Sequence, residues 1–312
     1  MAASPLAVQR LSLGVSLIAA LLAGILVAAQ SRINGGLGLA LEDGVDAALY
    51  SFTSGWMLIG LVTLFSKFAR AGLARIFQLL KTGQLPVWMI LGGTLRGFLV
   101  MTQGLAAGSL GIALFTVAVV AGQGISAVVI DSRGWFGVEK RKLNFTRVAG
   151  AAIVVLGVGM VSESPSFGTM LLLALPFLAG LGLGFQQAAN GKVRISSESA
   201  IAAMFLNFAM SSGVLLLAKL ISLPFVGLPT AFPTQWWLYV GGFSGVIFIA
   251  IQIIVVGRIG VLGLGVLLGT GQLLGSLLID VAFPLPGQVI TFIHVVGVLV
   301  TLVGALLVNL RR

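Results

Sequence analysis

The 312-residue chain has no cysteine, which removes disulfides, thiolate nucleophiles and thiolate metal sites in one step. It has one histidine, His294, so a histidine-based metal cluster is excluded as well. Charged residues are only 8% of the chain. A soluble domain carries about 25%, so water is not the main solvent of this protein. No Walker-type phosphate loop is present, which argues against direct drive by ATP.

What fills the chain instead is apolar: 58% hydrophobic residues and a mean hydropathy of +1.14. Runs of roughly 18 or more such residues recur, each long enough to cross a hydrocarbon layer about 30 Å thick. Ten spans are predicted, over residues 11–30, 45–66, 85–107, 110–131, 146–162, 167–190, 199–223, 235–256, 259–282 and 287–309. The expected fold class is an all-α membrane protein. In lipid the 43 glycines mark close helix packing rather than loops. Val27-Ala28-Ala29 before Gln30 has the form of a signal-peptidase site. The apolar stretch ahead of it is about 19 residues, longer than a signal core, and Gln30 recurs in the second half. The first span is therefore expected to be a permanent helix.

A net charge of +10 would point to nucleic acid in a soluble protein. Basic residues also collect in cytoplasmic loops. With the N-terminus inside, 15 of the 18 lysines and arginines fall on the cytoplasmic side, leaving Arg32, Arg96 and Lys219. Glu42, Asp43, Asp46 and Glu163 fall on the opposite side. Both termini are expected to be cytoplasmic, with Lys67, Arg70, Arg75 and Lys81 in one inner loop and Lys140-Arg141-Lys142 in another. No nucleic-acid partner is expected. The second loop is read as a topology determinant, with contact to anionic lipid heads as the other reading.

The chain also repeats itself. At an offset of 156, Leu22-Ala23-Gly24 meets Leu178-Ala179-Gly180, Gln30 meets Gln186, Asn34-Gly35 meets Asn190-Gly191 and Phe52 meets Phe208. At an offset of 149, Gly92-Gly93 meets Gly241-Gly242, Gln103 meets Gln252, Gly122-Gln123 meets Gly271-Gln272 and Ile130-Asp131 meets Ile279-Asp280. Rare polar residues matching in order mean more than glycines alone. Five spans per copy is an odd number, so residues 1–162 and 163–312 are expected to enter the membrane from opposite sides. Inverted repeats of this kind are typical of secondary transporters, with the site between the halves.

These residues resemble the drug/metabolite transporter superfamily, and within it the YdcZ-type branch. The matching features are Gly24 with Gln30-x3-Asn34, Gly122-Gln123 followed by Ile130-Asp131, and the second copies at Gln186-x3-Asn190 and Gly271-Gln272 to Asp280. The resemblance covers nearly the whole chain and implies a fused pair of five-helix units forming an inner-membrane exporter. Two departures stand out. Arg96 is matched by Gly245, and Asp131-x2-Gly134 becomes Asp280-x2-Phe283.

The scarce polar residues are the candidates for the transport path: Gln30, Asn34, Arg96, Gln103, Gln123, Gln186, Asn190, Gln252 and Gln272. Arg96 lies near mid-span, where an arginine costs about 2.5 to 3.5 kcal/mol, so it should face protein or a wet cavity. It reads equally as an anchor for an anion or carbonyl and as a structural cation. Gln30 and Asn34, at i and i+4, share a helix face with Ser12, Ser16 and Ala23. Asp131 and Asp280 end their helices, where the helix dipole disfavours negative charge. They read as gate or coupling groups, or as carboxylates accepting loop N–H bonds. His294, some seven residues into its span, reads as a satisfied or snorkelling side chain more readily than as a proton relay. Trp236-Trp237 reads as an interfacial anchor.

The expected function is a secondary transporter, an exporter of a small metabolite or drug-like molecule, working by alternating access. A channel, a membrane-embedded interaction protein and an intramembrane lipid-modifying enzyme are the alternatives. No enzymatic activity, cofactor or metal is expected. The expected partners are the bilayer and a small-molecule substrate, with homodimer formation left open.

Overall fold

A computed structural model describes residues 12–137, 145–161, 167–284 and 290–309, and all regular structure among them is helical. Lys140-Arg141-Lys142 and Glu163 lie outside the described residues. Six helical stretches are long and apolar enough to cross a membrane, and Val148–Gly157, Gly241–Gln252 and Phe292–Leu307 are shorter apolar ones. The chain is an all-α membrane protein.

Helix α1 (Leu13–Ala40) begins at Ser12, whose hydroxyl accepts the Val15 N–H and so satisfies one of the donors a helix start leaves open. It runs past the predicted end at residue 30. Gln30 and Asn34 therefore lie inside the helix rather than at its end. The extension is stabilised by packing, because Gly35 and Gly38 let Gly108 and Gly104 approach it closely. Helix α2 (Gly44–Phe65) is capped by Asp43, which accepts from the N–H groups of Val45 at 2.8 Å and Asp46 at 3.3 Å.

The basic stretch expected as a loop is helix α3 (Lys67–Lys81). Ser66 caps it, and Ala69, Gly72 and Ile76 form a buried stripe at helical spacing, with Gly72 against Ser199 and Ala202. Its remaining face is exposed and basic, which hid it from a search for apolar spans. The third predicted span is broken into α4 (Val87–Ile90), α5 (Gly92–Thr102), a π-helical turn (Gln103–Ala107) and α6 (Gly108–Leu110). Gly111, with φ of +82°, then makes a one-residue turn that a Cβ would strain. Helices α7 (Ile112–Arg133), α8 (Phe145–Val161), α9 (Phe167–Ser197), α10 (Ala200–Val226), α11 (Gly241–Ala282) and α12 (Phe292–Asn309) follow.

The repeat in the sequence reappears in the backbone. Glu42 and Glu198, matched at the offset of 156, are both left-handed, with φ of 53° and 54°. Each precedes a capping residue, Asp43 before α2 and Ser199 before α10. Helices α2 and α10 are matched copies, and they run antiparallel. Asp46 meets Lys219, Phe52 meets Phe208 with ring centres 5.1 Å apart, and Trp56 meets Phe205 at 6.0 Å.

Helix α11 is helical from Gly241 to Ala282, and a straight helix of that length would extend about 63 Å. Its contacts exclude a straight rod. Gly241 and Gly245 lie beside Asn34 and Gln30 of α1, so this part descends along α1. Gly271 and Gly275 lie beside Leu21 and Ile25, so the later part ascends. Val255 and Leu264 share a cluster with Ala20, which places the reversal between them. The chain therefore passes α1 twice, as the two predicted spans 235–256 and 259–282 require.

The matched glycines bring the copies together. A Cβ on Gly24 would collide with the Leu268 carbonyl and come within 2.9 Å of the Gly271 Cα, and one on Gly271 would collide with the Leu21 carbonyl. The same contact recurs in the other copy: Gly180 abuts the Val119 carbonyl, and Gly122 abuts the Phe177 carbonyl. Each copy's first helix thus packs against the helix pair of the other copy. Gly124, two residues on, has nothing within 4 Å of an added Cβ. Gly122→Ala is expected to destabilise the fold by about 1 to 3 kcal/mol through overpacking against rigid backbone. Gly124→Ala should be neutral or slightly stabilising. Melting of the purified variants in detergent, followed by tryptophan fluorescence, checks the contrast; equal melting would remove the packing role of Gly122.

Candidate functional site

Three of the polar candidates, Gln30, Asn34 and Gln103, form an interior seam where α1 meets the π-turn and α11. Asn34 Nδ2 donates to Gln103 Oε1 at 2.7 Å, Gln103 Nε2 donates to Ser31 Oγ at 3.0 Å, and Ser31 Oγ donates to the Val27 carbonyl at 3.0 Å. Gln103 is 1% exposed and sits at the start of the π-turn, where the widened backbone sets its side chain towards α1. Gln30 Nε2 donates to the Gly241 carbonyl at 2.8 Å, and Gln30 Oε1 is buried without a partner. Gly245 makes room for that amide, since a Cβ there would lie 2.8 Å from Gln30 Nε2. Asn34 Oδ1 is likewise buried and unpartnered. Two open acceptors therefore remain in a seam that is otherwise hydrogen-bonded.

The second copy does not reproduce this network. Gln186 is 5% exposed, but Asn190 and Gln252, matched to Asn34 and Gln103, are only half-buried and share no hydrogen bond. Gln123 Nε2 donates to the exposed Gln187 at 3.0 Å, not to Gln186. Gln272 lies near the α1–α11 contact, its backbone N–H beside Gly24. The seam is thus sealed at the end of the bundle that holds the α1–α2 connection and looser at the other end.

Asp280 is fully buried and accepts the N–H groups of Ile112 at 3.1 Å and Ala113 at 2.6 Å. These are open donors at the start of α7, so the carboxylate caps a helix belonging to the other copy. The dipole conflict expected from its place at the end of α11 is offset there, because it faces the positive end of α7. The side chain of Asp131, its match, lies outside the described residues. His294 lies in the first turn of α12, earlier in its helix than expected, because α12 starts at Phe292. Its Nδ1 is 2.7 Å from Thr291 Oγ1 and accepts the Thr291 N–H at 3.3 Å. Trp236 and Trp237 form a short 3-10 turn and are 71% and 52% exposed.

Arg96 is 9% exposed, with its guanidinium carbon 5.1 Å from the centre of the Phe248 ring. Gly93 and Gly97, on either side of it, draw α5 against Asn207 and Ser211 of α10. The Asn207 Nδ2 is buried with no acceptor. On the outward face of α5, away from Arg96, an open cleft of about 320 Å³ is lined by Trp88, Leu91, Gly92, Thr94, Leu95, Phe136, Phe185 and Ala189.

One cluster was missed from the sequence. Lys219 Nζ donates to Asp43 Oδ2 at 2.9 Å, Asp46 Oδ2 at 2.6 Å and the Gly227 carbonyl at 2.9 Å. The three side chains are only 5% to 9% exposed. Burial alone would raise Asp43, but the Lys219 ammonium and two backbone N–H bonds hold it below the ordinary carboxylate value. The signal was in the charge tally, which left Lys219 on the same side as Asp43 and Asp46. Matched positions Thr63, Ser199 and Ala202 carry no charge, so this lock exists at one end only. Lys219→Met, which leaves two buried carboxylates unpaired, is expected to cost about 3 to 5 kcal/mol. Adding Asp43→Asn and Asp46→Asn should restore most of the loss. Thermal melting of the three proteins checks this, and a single variant that melts with the parent would contradict it.

Two stretches, residues 15–160 and 171–307, match the family model described as a candidate inner membrane exporter, YdcZ. A comparison with curated proteins gave no match. The two matched stretches correspond to the two copies seen in the sequence and together take in nearly the whole chain. The chain belongs to the DMT YdcZ family, as an integral membrane protein with two copies of the family unit fused in one polypeptide.

Proposed function

We propose that this protein is a secondary transporter that exports a small molecule by alternating access between residues 1–162 and 163–312. The two halves are inverted, cross the membrane ten times and leave both termini in the cytoplasm. The observation that carries this reading is the antiparallel pairing of the matched helices α2 and α10. Copies related by an axis along the membrane normal would run these helices the same way; an axis in the membrane plane runs them oppositely. The exchanged glycine contacts give the halves a smooth surface over which small helix shifts are cheap.

Alternating access needs two ends that do not open together. In this conformation the end bearing Lys219, Asp43 and Asp46 is sealed, and the Asn34–Gln103–Ser31 chain closes the seam beneath it. Asn190, Gln252 and Gln186 line the path on the looser side, with Gln123 and Gln272 along the glycine contacts and Arg96 between. Asp280 latches the sealed end by capping α7, and Asp131 plays the matching part at the other. Gate opening releases one set of bonds while the other forms.

The absence of cysteine makes the test direct, since each introduced thiol is unique. In sealed, oriented vesicles, Thr82→Cys and Thr234→Cys should react with an impermeant thiol reagent from opposite faces. Gln252→Cys should react from the Thr82 face and Gln103→Cys should stay protected. Labelling of both loop sites from one face would overturn the topology. Flux of solute in proteoliposomes should saturate and show counterflow, whereas flux linear in concentration would make the protein a channel.

A further inference from the structure

Buried cations in this bundle are treated in two ways. Lys219 has three oxygen acceptors, and Arg32 donates to the Phe283 carbonyl at 2.7 Å. Arg96 is 9% exposed, yet among the described residues no oxygen accepts from it and no carboxylate pairs with it. Its nitrogens are not sealed in, because each keeps accessible surface, whereas Arg32 Nη1 and Gln30 Oε1 keep almost none. A cation at that depth without an acceptor is costly. The Phe248 ring, 5.1 Å from the guanidinium carbon, offsets part of the cost and leaves the N–H edges unused.

Helix geometry fixes where Arg96 projects. Gly92 packs on Gln186 and Ala189 of α9, and Gly93 packs on Asn207 and Met210 of α10. At about 100° per residue, Arg96 projects between these two directions, on the side that also carries the buried Val100 and Gln103. Leu91 and Thr94, in the open cleft, lie on the far side of α5. On α9, Gly182 and Ala189 face α5, and Phe185 and Gln186 fall on either side of that line. Phe185 lines the cleft, so Gln186 turns to the inner side, where Arg96 lies. Gln186 is 5% exposed, makes no hydrogen bond among the described residues, and its amide is not sealed in either.

The repeat shows what this pair replaces. In the first copy, Gln30 donates to the Gly241 carbonyl, and its amide occupies the space over Gly245. The matched residues are Gln186, Gly92 and Arg96. Here the amide is unbonded and an arginine stands where the other copy has glycine, so packing of the copies does not require the cation. A planar fork of donors beside an open amide suits a carboxylate or phosphate, which can take paired bonds from the guanidinium and a further one from the amide.

We propose that Arg96 and Gln186 bind the oxyanion head of a small organic anion, a carboxylate or phosphate, between α5, α9 and α11, with Phe248 behind the guanidinium. As the substrate class of the exporter this rests on the function proposed above, but the site itself can be tested by binding alone.

The probes are acetate, benzoate and inorganic phosphate, with acetamide and benzamide as neutral controls, on the purified full chain in detergent at fixed ionic strength. At least one oxyanion should raise the melting temperature in a saturable way, and neither amide should. A response to the carboxylates alone, or to phosphate alone, assigns the head group. Arg96→Met should abolish the shift, Gln186→Leu should weaken the apparent affinity about tenfold, and Phe185→Leu, on the cleft side, should leave it unchanged. Without ligand, Arg96→Met should melt no lower than the parent, because the substitution removes an unpaired buried cation. No shift with any oxyanion, an equal shift with the amides, or a shift that survives Arg96→Met would each overturn the proposal. A lower melting temperature or misfolding of Arg96→Met would also overturn it, by making Arg96 a structural cation. Proteoliposome flux separates the two readings. Saturable export of neutral or cationic solutes that Arg96→Met leaves unchanged would sink the anion site and keep the exporter. Intact oxyanion binding without flux of any solute would do the reverse.

Discussion

The contact on which the bundle depends is backbone against backbone at four matched glycines. Gly24 meets Gly271, and Gly180 meets the Val119 carbonyl one turn from Gly122. In lipid no water-driven force brings helices together, so association relies on van der Waals contact over short distances. Only a residue without a Cβ permits such an approach. Because each of these contacts joins a first helix from one copy to the helix pair of the other, neither copy completes its own packing. The single chain is thereby held as an interlocked pair.

Polarity is distributed around that surface with a clear difference between the ends. At one end, Lys219 binds two carboxylates and a carbonyl, Asp280 caps α7, and Gln103 ties the π-turn to α1. Apart from the Lys219 bond to the Gly227 carbonyl, these join elements distant in sequence. At the other end, Thr63, Ser199 and Ala202, matched to Lys219, Asp43 and Asp46, carry no charge, Gln252, matched to Gln103, is half-buried, and α3 covers the surface through Gly72 and Ile76. Buried charge in a low-dielectric interior is tolerated only where it is paired. The paired groups therefore tie these elements together, and Arg96, held over Phe248 with no oxygen partner among the described residues, stands apart from them.

Several features could be read before any coordinates. The apolar runs, the two offsets and the scarcity of charge were sufficient for an all-α membrane protein in two copies, because lipid demands long apolar helices and leaves little latitude in composition. Others could not. Helix α3 has four basic residues in fifteen and no apolar run, so its buried stripe emerges only against α9 and α10. The reversal within α11 was marked in the sequence by Gly257-Arg258-Ile259-Gly260 between two apolar spans, but which residues of α1 each limb touches was not. The sequence marks Gln103 and Asn34 as candidates for the transport path, but nothing in it makes them partners 69 positions apart.

The sequence by itself determined the solvent, the helical class and the repeat, since each follows from local composition or from the order of residues along the chain. Only the tertiary structure decided which copy's helices pack on which, which carboxylates Lys219 binds, that Asp280 caps the other copy's α7, and that Arg96 has an aromatic face but no acceptor among the described residues. Those outcomes depend on distances between residues far apart in the chain, and a buried charge acquires its role from the groups around it rather than from its neighbours in sequence.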